Sequence, residues 1–536
     1  MADYIDIFKE VDGEFKLYDV QSIGEKLAVT IRTSHNTKYN FIIKDFRPYF
    51  FVPKINLPYH LPFISMNQCK KITCSHPSDI RKEREKYKYT YEADILYDFR
   101  FHFDILLNFQ ENTNIQPRLW FFDIEVFNNY ESSFPKPEEL NKFINSIAIY
   151  DSYSKQFLTL VVASKGQDCG KVVIGDRTII KVKSEETLLK FFIELLNRIE
   201  PDIIVGWNNI LFDIPFLVER LRIKYPDLYN RLSPFGIEPR KHFNMVFNSD
   251  EFEIPGYISL DYMLLYQKYG DKLGSYSLES VCRHELGKGK VKYDKSLDYV
   301  YENEFDLFIK YNTEDVNLIR ELENKLTFIQ LVDQLKSITY CKLYTFNFNN
   351  TLKVGDMLLM KYIRTIYSTP LVMKSKSDTL VSDTYSGAYV KTPKVGLYYD
   401  YIIDFDASSM YPSIIRTLNI SPETFVCKII EDQKVIRFHI RPFLRGWKGW
   451  ELPNESVNVV FEDGSVKKIS VHDLKSYIYE KCSDNFVVAI NGSVFRMDVV
   501  GVLKYIEDDL AKLREANKNA KKVFGKLTTI LKDPTP

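Results

Sequence analysis

The chain has 536 residues, enough at roughly 100–200 residues per domain for three or four domains with their own cores. An apolar share of 45% and a charged share of 27% exclude a mainly disordered chain. Lys plus Arg and Asp plus Glu both number 72, which excludes a uniformly basic nucleic-acid-binding coat while leaving room for a local basic groove.

The first residues, Met1-Ala-Asp-Tyr-Ile-Asp6, lack the basic start and apolar run of a signal peptide. Apolar runs such as residues 157–163 are far shorter than a membrane span, so a soluble, cytoplasmic protein is expected. Seven cysteines include no Cys-x-x-Cys pair, and Cys69 and Cys74 have no cluster of partners, which argues against zinc and for reduced thiols. Residues 1–105 alternate short β-rich runs (26–31, 39–43, 48–52) with turns and predict a β-rich N-terminal domain. A basic helix-like stretch at 80–88 is either a solvated face or a nucleic-acid contact.

From 106 to 335 the pattern alternates. Strands are expected at 119–124, 144–151, 156–163 and 203–206, and helices at 185–199, 214–224 and 304–326, an α/β layer with a mixed sheet. Residues 336–445 read as a connector with a helix near 353–365, then an apolar strand at 401–405 leading into Asp406. The stretch from 425 to about 500 is β-rich, with Glu462-Asp463-Gly464 as a hairpin signal, and 446–485 reads as a possible insertion. Residues 486–536 end in a long helix whose stripe is Leu503, Ile506, Leu510, Leu513, Ala520 and Phe524. Its other faces carry Lys512, Arg514, Lys518, Lys521, Lys522 and Lys526 before the helix-breaking Asp533-Pro-Thr-Pro536.

Three acidic groups stand out. Asp123 and Glu125, two apart on an expected strand, project to one side and repel unless a cation sits between them. Asn208 and Asp213 lie on an expected strand-to-helix turn, where Asp213 is otherwise a helix cap ahead of Pro215. Tyr311 and Asp315 are one helical turn apart on a shared face, otherwise a solvated Tyr–Asp pair.

Taken together, Asp-x-Glu, Asn-x4-Asp and Tyr-x3-Asp resemble the proofreading 3′–5′ exonuclease of family B DNA polymerases, and more widely the DnaQ-like, ribonuclease-H-like nucleases. The resemblance implies that Asp123, Glu125, Asp213 and Asp315 hold two Mg²⁺ or Mn²⁺ ions. It also implies that Tyr311 orients the attacking water, and that Asn208 and Phe212 line the path of a frayed 3′ end. Arg231-Leu-Ser-Pro-Phe235, residues 243–253, Ser259-Leu-Asp-Tyr262 and Ser275-Tyr-Ser-Leu278 are similar to the T-even-phage type. There, a hairpin in 243–253 helps part primer from template; the alternative is an ordinary surface hairpin.

A second match follows. Asp406-Ala-Ser-Ser409-Met410-Tyr411-Pro412-Ser413 resembles the family's first palm motif, with Met410 in place of Leu, and Tyr385-Ser-Gly-Ala-Tyr389 resembles the linker before it. The resemblance implies a metal on Asp406, a triphosphate cradle at Ser409 and Met410, and Tyr411 beneath the sugar. Arg514 and Lys518 resemble triphosphate-binding residues of the fingers, against the plain reading of a basic solvated helix.

The family's second fingers motif and its Tyr-x-Asp-Thr-Asp palm pair do not occur; Ser382-Asp-Thr384 lacks the second Asp. The expected protein is therefore an α/β multidomain chain with a β-rich N-terminal domain, a ribonuclease-H-like exonuclease domain, a partial palm and partial fingers. It is expected to be the N-terminal part of a DNA-directed DNA polymerase (a nucleotidyltransferase). Primer-template DNA, a single-stranded 3′ end and dNTP are the expected ligands; either a second polypeptide supplies the rest of palm, fingers and thumb, or the chain is truncated. The expected location is the cytoplasm of a phage-infected bacterium. The alternatives are a standalone metal-dependent 3′–5′ exonuclease and a catalytically idle DNA-binding scaffold subunit.

Overall fold

The computed structural model describes residues 8–9, 11–57, 66–244, 248–348, 351–364, 390–407, 409–447 and 456–532. Ser382-Asp383-Thr384 and Tyr385-Ser-Gly-Ala-Tyr389 lie outside the described residues, as do the side chains of Phe524 and Lys526. The chain forms two compact units, one of residues 1–48, 74–79 and 95–358, the other of 49–73, 80–94 and 359–536.

The first unit opens with β1 (Phe15–Ile23), β2 (Lys26–Thr33) and β3 (Lys38–Ile43), an antiparallel meander in the order β1-β2-β3. The hairpin β4 (Tyr49–Pro53) and β5 (Cys69–Thr73), with most of α1 (Asp79–Arg84), belongs to the other unit. Helix α2 (Tyr97–Asn108) packs on β1 and is buried continuously from Tyr97 to Leu106.

The α/β layer contains β6 (Leu119–Phe127), β7 (Phe143–Asp151), β8 (Gln156–Val162), β9 (Gly170–Ile174), β10 (Arg177–Val182), α3 (Glu185–Ile199), β11 (Ile203–Gly206), α4 (Asp213–Lys224), the hairpin β12 (Arg240–Asn244) and β13 (Ser249–Glu253), and β14 (Ile258–Asp261). Its seven-stranded sheet runs β14-β11-β6-β7-β8-β10-β9. The β6, β7 and β8 strands form an antiparallel meander, and β11 and β14 add in parallel beside β6. This is the ribonuclease-H-like arrangement that the sequence led us to expect.

Residue chemistry explains the local choices. Helix α3 begins where Ser184 accepts the Thr187 N–H, and its buried Leu188, Leu189, Phe192, Ile193 and Leu196 fall at helical spacing against the sheet. Gly206 ends β11 so close to its neighbours that a Cβ there would lie 2.6 Å from the Asn209 Cβ and 3.0 Å from the Phe122 carbonyl. The buried Arg32 guanidinium ties the N-terminal meander to the layer, meeting Asp202 at 2.5 Å and the carbonyls of Asn36 and Glu200 at 2.8 and 2.7 Å. Each guanidinium nitrogen makes a hydrogen bond, while Asp202 is held through Oδ2 alone, which also accepts the Arg118 N–H at 2.7 Å.

The unit continues through α5 (Tyr262–Tyr269), α6 (Leu278–Leu286), α7 (Leu297–Asn303), the long α8 (Phe305–Leu326) and α9 (Phe328–Thr339), and α10 (Thr351–Tyr362) spans the boundary between the units. No helix among the described residues is long and apolar enough to cross a membrane.

In the second unit, α11 (Met410–Leu418) precedes a five-stranded antiparallel sheet. Its strands are β15 (Phe425–Ile430), β16 (Ser456–Phe461), β17 (Val466–Ser470), β18 (Phe486–Val488) and β19 (Ser493–Arg496), in the order β17-β16-β15-β19-β18. Helix α12 (Val471–Cys482) contributes Val471, Leu474 and Ile478 to a core shared with β15, β16 and β18. The described part of 446–485 thus shares its sheet and core with its flanks, and 486–496 adds two more strands before the final helix, α13 (Val502–Lys532).

One expectation fails. Residues 401–405 are not a strand: 390–407 carry no regular structure, and Tyr401, Ile402, Ile403 and Phe405 are at least 71% exposed. A strand needs a neighbour to take up its backbone groups, and none pairs with this run among the described residues.

Candidate metal centre

Strand β6 presents Asp123 and Glu125 on one side, with the buried Ile124 between them facing the other. The Ile124 N–H donates to Asp213 Oδ1 at 3.1 Å. Asp213 is therefore not the cap of α4. The cap position is Phe212, whose side chain accepts no hydrogen bond, and the Asp213 carboxylate is turned toward β6.

Helix α8 crosses behind the sheet and brings Tyr311 and Asp315. Carboxylate oxygens of Asp123, Glu125 and Asp315 lie within 4.8 Å of one another. The α8 residue between them, Asn312, donates to Asp123 Oδ2 at 2.7 Å and accepts the Ser146 hydroxyl at 2.7 Å. Lys290 enters from the loop after α6, its Nζ 2.6 Å from Asp315 Oδ2 and 4.6 Å from the Tyr311 ring centre. Among the described residues the buried Asp315 Oδ1 accepts no hydrogen bond, although the Tyr311 hydroxyl acts on the same carboxylate and lowers its pKa.

The electrostatics follow from burial and crowding. Desolvation, then the neighbouring Glu125, Asp213 and Asp315, hold the Asp123 carboxyl well above the ordinary carboxylate range. Burial, then Asp315, pushes Glu125 up to about 8. Burial pushes Asp213 up to about 7 although the Ile124 N–H opposes it. Asp315 is also raised by burial, against the pull of Lys290. Burial and the carboxylates beside it raise the Tyr311 phenol so far that it stays protonated.

Lys290 thus pairs with Asp315 while its charge acts on the other three carboxylates, and among the described residues one buried oxygen of Asp315 accepts no hydrogen bond. An all-oxygen donor set of this kind fits hard divalent cations.

The turn carrying Asn208 is held from β14. Asn208 adopts φ 65°, and buried Asp261 accepts the N–H groups of Asn208 at 3.0 Å, Ile210 at 3.3 Å and Met263 at 3.0 Å. Burial pushes Asp261 up to about 6 even with these donors. Phe212 stacks edge-on against the exposed Phe134, ring centres 4.8 Å apart.

The other expected residues lie in the second unit. Asp406 is exposed in the irregular run, Ser409 takes a left-handed φ of 51° at the start of α11, and Met410 and Tyr411 are exposed. Arg514 and Lys518 lie exposed on α13. Among the described residues no hydrogen bond or ion pair joins Asp406, Arg514 and Lys518. The structure therefore brings Asp123, Glu125 and Asp315 together with Asp213 beside them, whereas among the described residues Asp406 is joined to neither Arg514 nor Lys518.

Comparison with known proteins decides the family. The family model for the DNA polymerase family B exonuclease domain matches residues 55–281, and that for DNA polymerase family B matches residues 344–462. The chain belongs to DNA polymerase family B. It is 30% identical over 358 residues to the DNA-directed DNA polymerase of Enterobacteria phage T4, covering 62% of this chain and 37% of that protein. Identity to the DNA-directed DNA polymerase of Escherichia phage RB69 is 27% over 405 residues, 71% of this chain and 40% of that one. DNA polymerase 1 of Pyrococcus abyssi is 26% identical over 496 residues, 87% and 58% of the two chains. The chain spans about two-fifths of the length of the two phage polymerases.

The family B exonuclease match stops at 281, ahead of Lys290, Tyr311, Asn312 and Asp315. Sequence reasoning found Tyr311 and Asp315 but missed Lys290, Asn312 and Asp261. Asp261 carried a weak signal, an acid at a strand-to-helix junction. Lys290 and Asn312 carried none, because their role arises only where separate elements meet.

Proposed function

We propose that this chain is a metal-dependent 3′–5′ exonuclease of the proofreading kind that also carries the first half of a DNA-polymerase nucleotidyl-transfer site. The observation that carries the reading is the meeting of Asp123, Glu125 and Asp315, with Asp213 held beside them on the Ile124 N–H, all four raised above the ordinary carboxylate range. Two Mg²⁺ or Mn²⁺ ions held by these four carboxylates would supply an acidified water and charge stabilisation at the leaving oxygen.

The remaining work falls to the chain's own groups. Tyr311, kept protonated, orients a water through its hydroxyl and does not act as the base. Asn312 fixes the Asp123 carboxylate from behind. Asn208 and Phe212 line the path of the 3′ end, and the exposed Phe134 against Phe212 extends an aromatic surface on which an unpaired base stacks. A frayed end reaches these groups without first being unpaired, which favours mismatched termini.

For synthesis, Asp406 would hold a metal, Ser409, Met410, Arg514 and Lys518 would bind the triphosphate of the incoming dNTP, and Tyr411 would contact its sugar. A second polypeptide completes palm, fingers and thumb, and the chain works in the cytoplasm of an infected bacterium.

The test uses a 5′-labelled primer-template with matched or mismatched ends, Mg²⁺ or Mn²⁺, and dNTPs. Stepwise shortening from the 3′ end, faster at mismatches, is expected. Absence of shortening with either metal overturns the nuclease reading. Robust dNTP incorporation by the chain alone overturns the need for a second polypeptide.

A further inference from the structure

Away from the carboxylate centre, a second set of metal-type donors meets at the surface of the first unit. Asp271 follows α5 by two residues, and His284 and Glu285 lie in the last turn of α6. One imidazole nitrogen and two carboxylate oxygens from these residues lie within 4.8 Å of one another. His284 Nε2 is 2.9 Å from Asp271 Oδ2 and 3.9 Å from Glu285 Oε1. The shorter spacing is a hydrogen bond between the ring and Asp271 that an ion would replace, since metal–ligand bonds of about 2.0–2.2 Å set neighbouring ligands roughly 3–3.5 Å apart.

The surroundings suit a cation. Glu285 is oriented by the buried Tyr266, whose hydroxyl donates to Oε1 at 2.7 Å, while Lys325 takes Oε2 at 2.8 Å. A carboxylate oxygen has a lone pair to spare beyond one such bond, and an outer hydrogen bond of this kind fixes a ligating carboxylate in place. Lys325 also donates to the Glu285 carbonyl, so a cation bound here has the negative pole of α6 in its favour and the Lys325 charge against it. Asp271 and His284, at 72% and 44% side-chain exposure, have room to close on an ion.

We infer that Asp271, His284 and Glu285 form a binding site for a first-row divalent cation of the zinc type, separate from the carboxylate centre. The imidazole nitrogen is what selects the class: Mg²⁺ prefers oxygen donors and retained water, whereas Zn²⁺ takes mixed nitrogen and oxygen ligands. Water completes the shell.

The site has a mechanical consequence. The loop from Gly270 to α6 includes Tyr276, whose carbonyl accepts the Trp207 indole N–H at 3.2 Å. Tyr276 and Ser277 line an open groove with Asn208 and Lys290. An ion joining Asp271 to the far end of α6 ties the start of this loop to the helix that ends it, and so stiffens one wall of the groove. The inference does not depend on the nuclease reading.

The test is calorimetric titration of Zn²⁺ into the full chain in Mg²⁺ buffer, where the difference between wild type and variants separates this site from any Zn²⁺ taken up by the carboxylate centre. His284→Ala and Asp271→Asn are compared with wild type; both positions are exposed, and the three proteins should melt alike without Zn²⁺. One equivalent of Zn²⁺ is expected at this site in wild type, weakened at least tenfold in each variant, with a rise in wild-type melting temperature that His284→Ala lacks. Co²⁺ should give the absorption of a nitrogen-ligated ion in wild type and not in His284→Ala. Equal Zn²⁺ uptake by all three proteins, or none by wild type, overturns the proposal.

Discussion

The Lys290 ammonium lies 2.6 Å from Asp315 Oδ2, and its charge opposes the upward pressure on Asp123, Glu125, Asp213 and Asp315 alike. Removing it raises the pKa of every carboxylate that must ionise to hold a cation. Lys290→Met is therefore expected to move the pH of half-maximal Mg²⁺ binding, and of 3′-end hydrolysis, to more alkaline values. A pH profile superimposable on wild type, or shifted toward acid, would contradict the electrostatic role given to Lys290.

In the unmodified protein, Glu125 at about 8 and Asp213 at about 7 bind protons more tightly in the folded chain than in the unfolded one. The folded state then holds the excess of protons, and stability falls as pH rises from the ordinary carboxyl range through those two values. Chelated protein should melt progressively lower between roughly pH 5 and pH 8, and divalent cations should restore most of the loss at the alkaline end. Thermal melts across that range with and without Mg²⁺ check both statements; a chelated protein that grows more stable toward pH 8 would refute them.

Asp123→Ala combined with Glu125→Ala removes two mutually repelling carboxylates that, on the proposed reading, also hold the metal. Hydrolysis of 3′ ends should drop by on the order of 10³-fold, since both substitutions remove transition-state stabilisation. The chelated double variant should nevertheless melt no lower than wild type. Undiminished hydrolysis would separate these residues from the chemistry.

In the second unit, Gly492 sits between β18 and β19 with φ 86°, and a Cβ there would lie 2.1 Å from the Ile429 carbonyl oxygen. Its own carbonyl accepts the Ile429 N–H at 2.9 Å, so the backbones cannot separate without losing a sheet bond. Gly492→Ala should destabilise this unit by about 1–3 kcal/mol, seen as a lower denaturant midpoint. An unchanged midpoint would show that the turn relaxes freely.

Much of the layer around the candidate centre was legible because its signals are local. Residues 203–206 form a short apolar strand, and α3 shows both a serine cap and a one-sided apolar stripe. Helix α2 shows the opposite case. Phe99, Phe101, Phe103 and Ile105 alternate like a strand, yet the segment is a helix buried all round, so no amphipathic period marks it. Asp123 and Glu125 could be paired from spacing alone. The orphaned Asp315 oxygen and the Asn312 bridge could not, because both depend on how α8 lies against β6.

The irregular, apolar 390–407 run bears on how the protein behaves in a tube. Its rings and aliphatic side chains are exposed beside peptide groups that no strand among the described residues takes up, which makes it an adhesive edge for any extended peptide nearby. Concentrated samples will be lost by coalescence through this edge before either unit unfolds, and shelf life will follow protein concentration more closely than melting temperature.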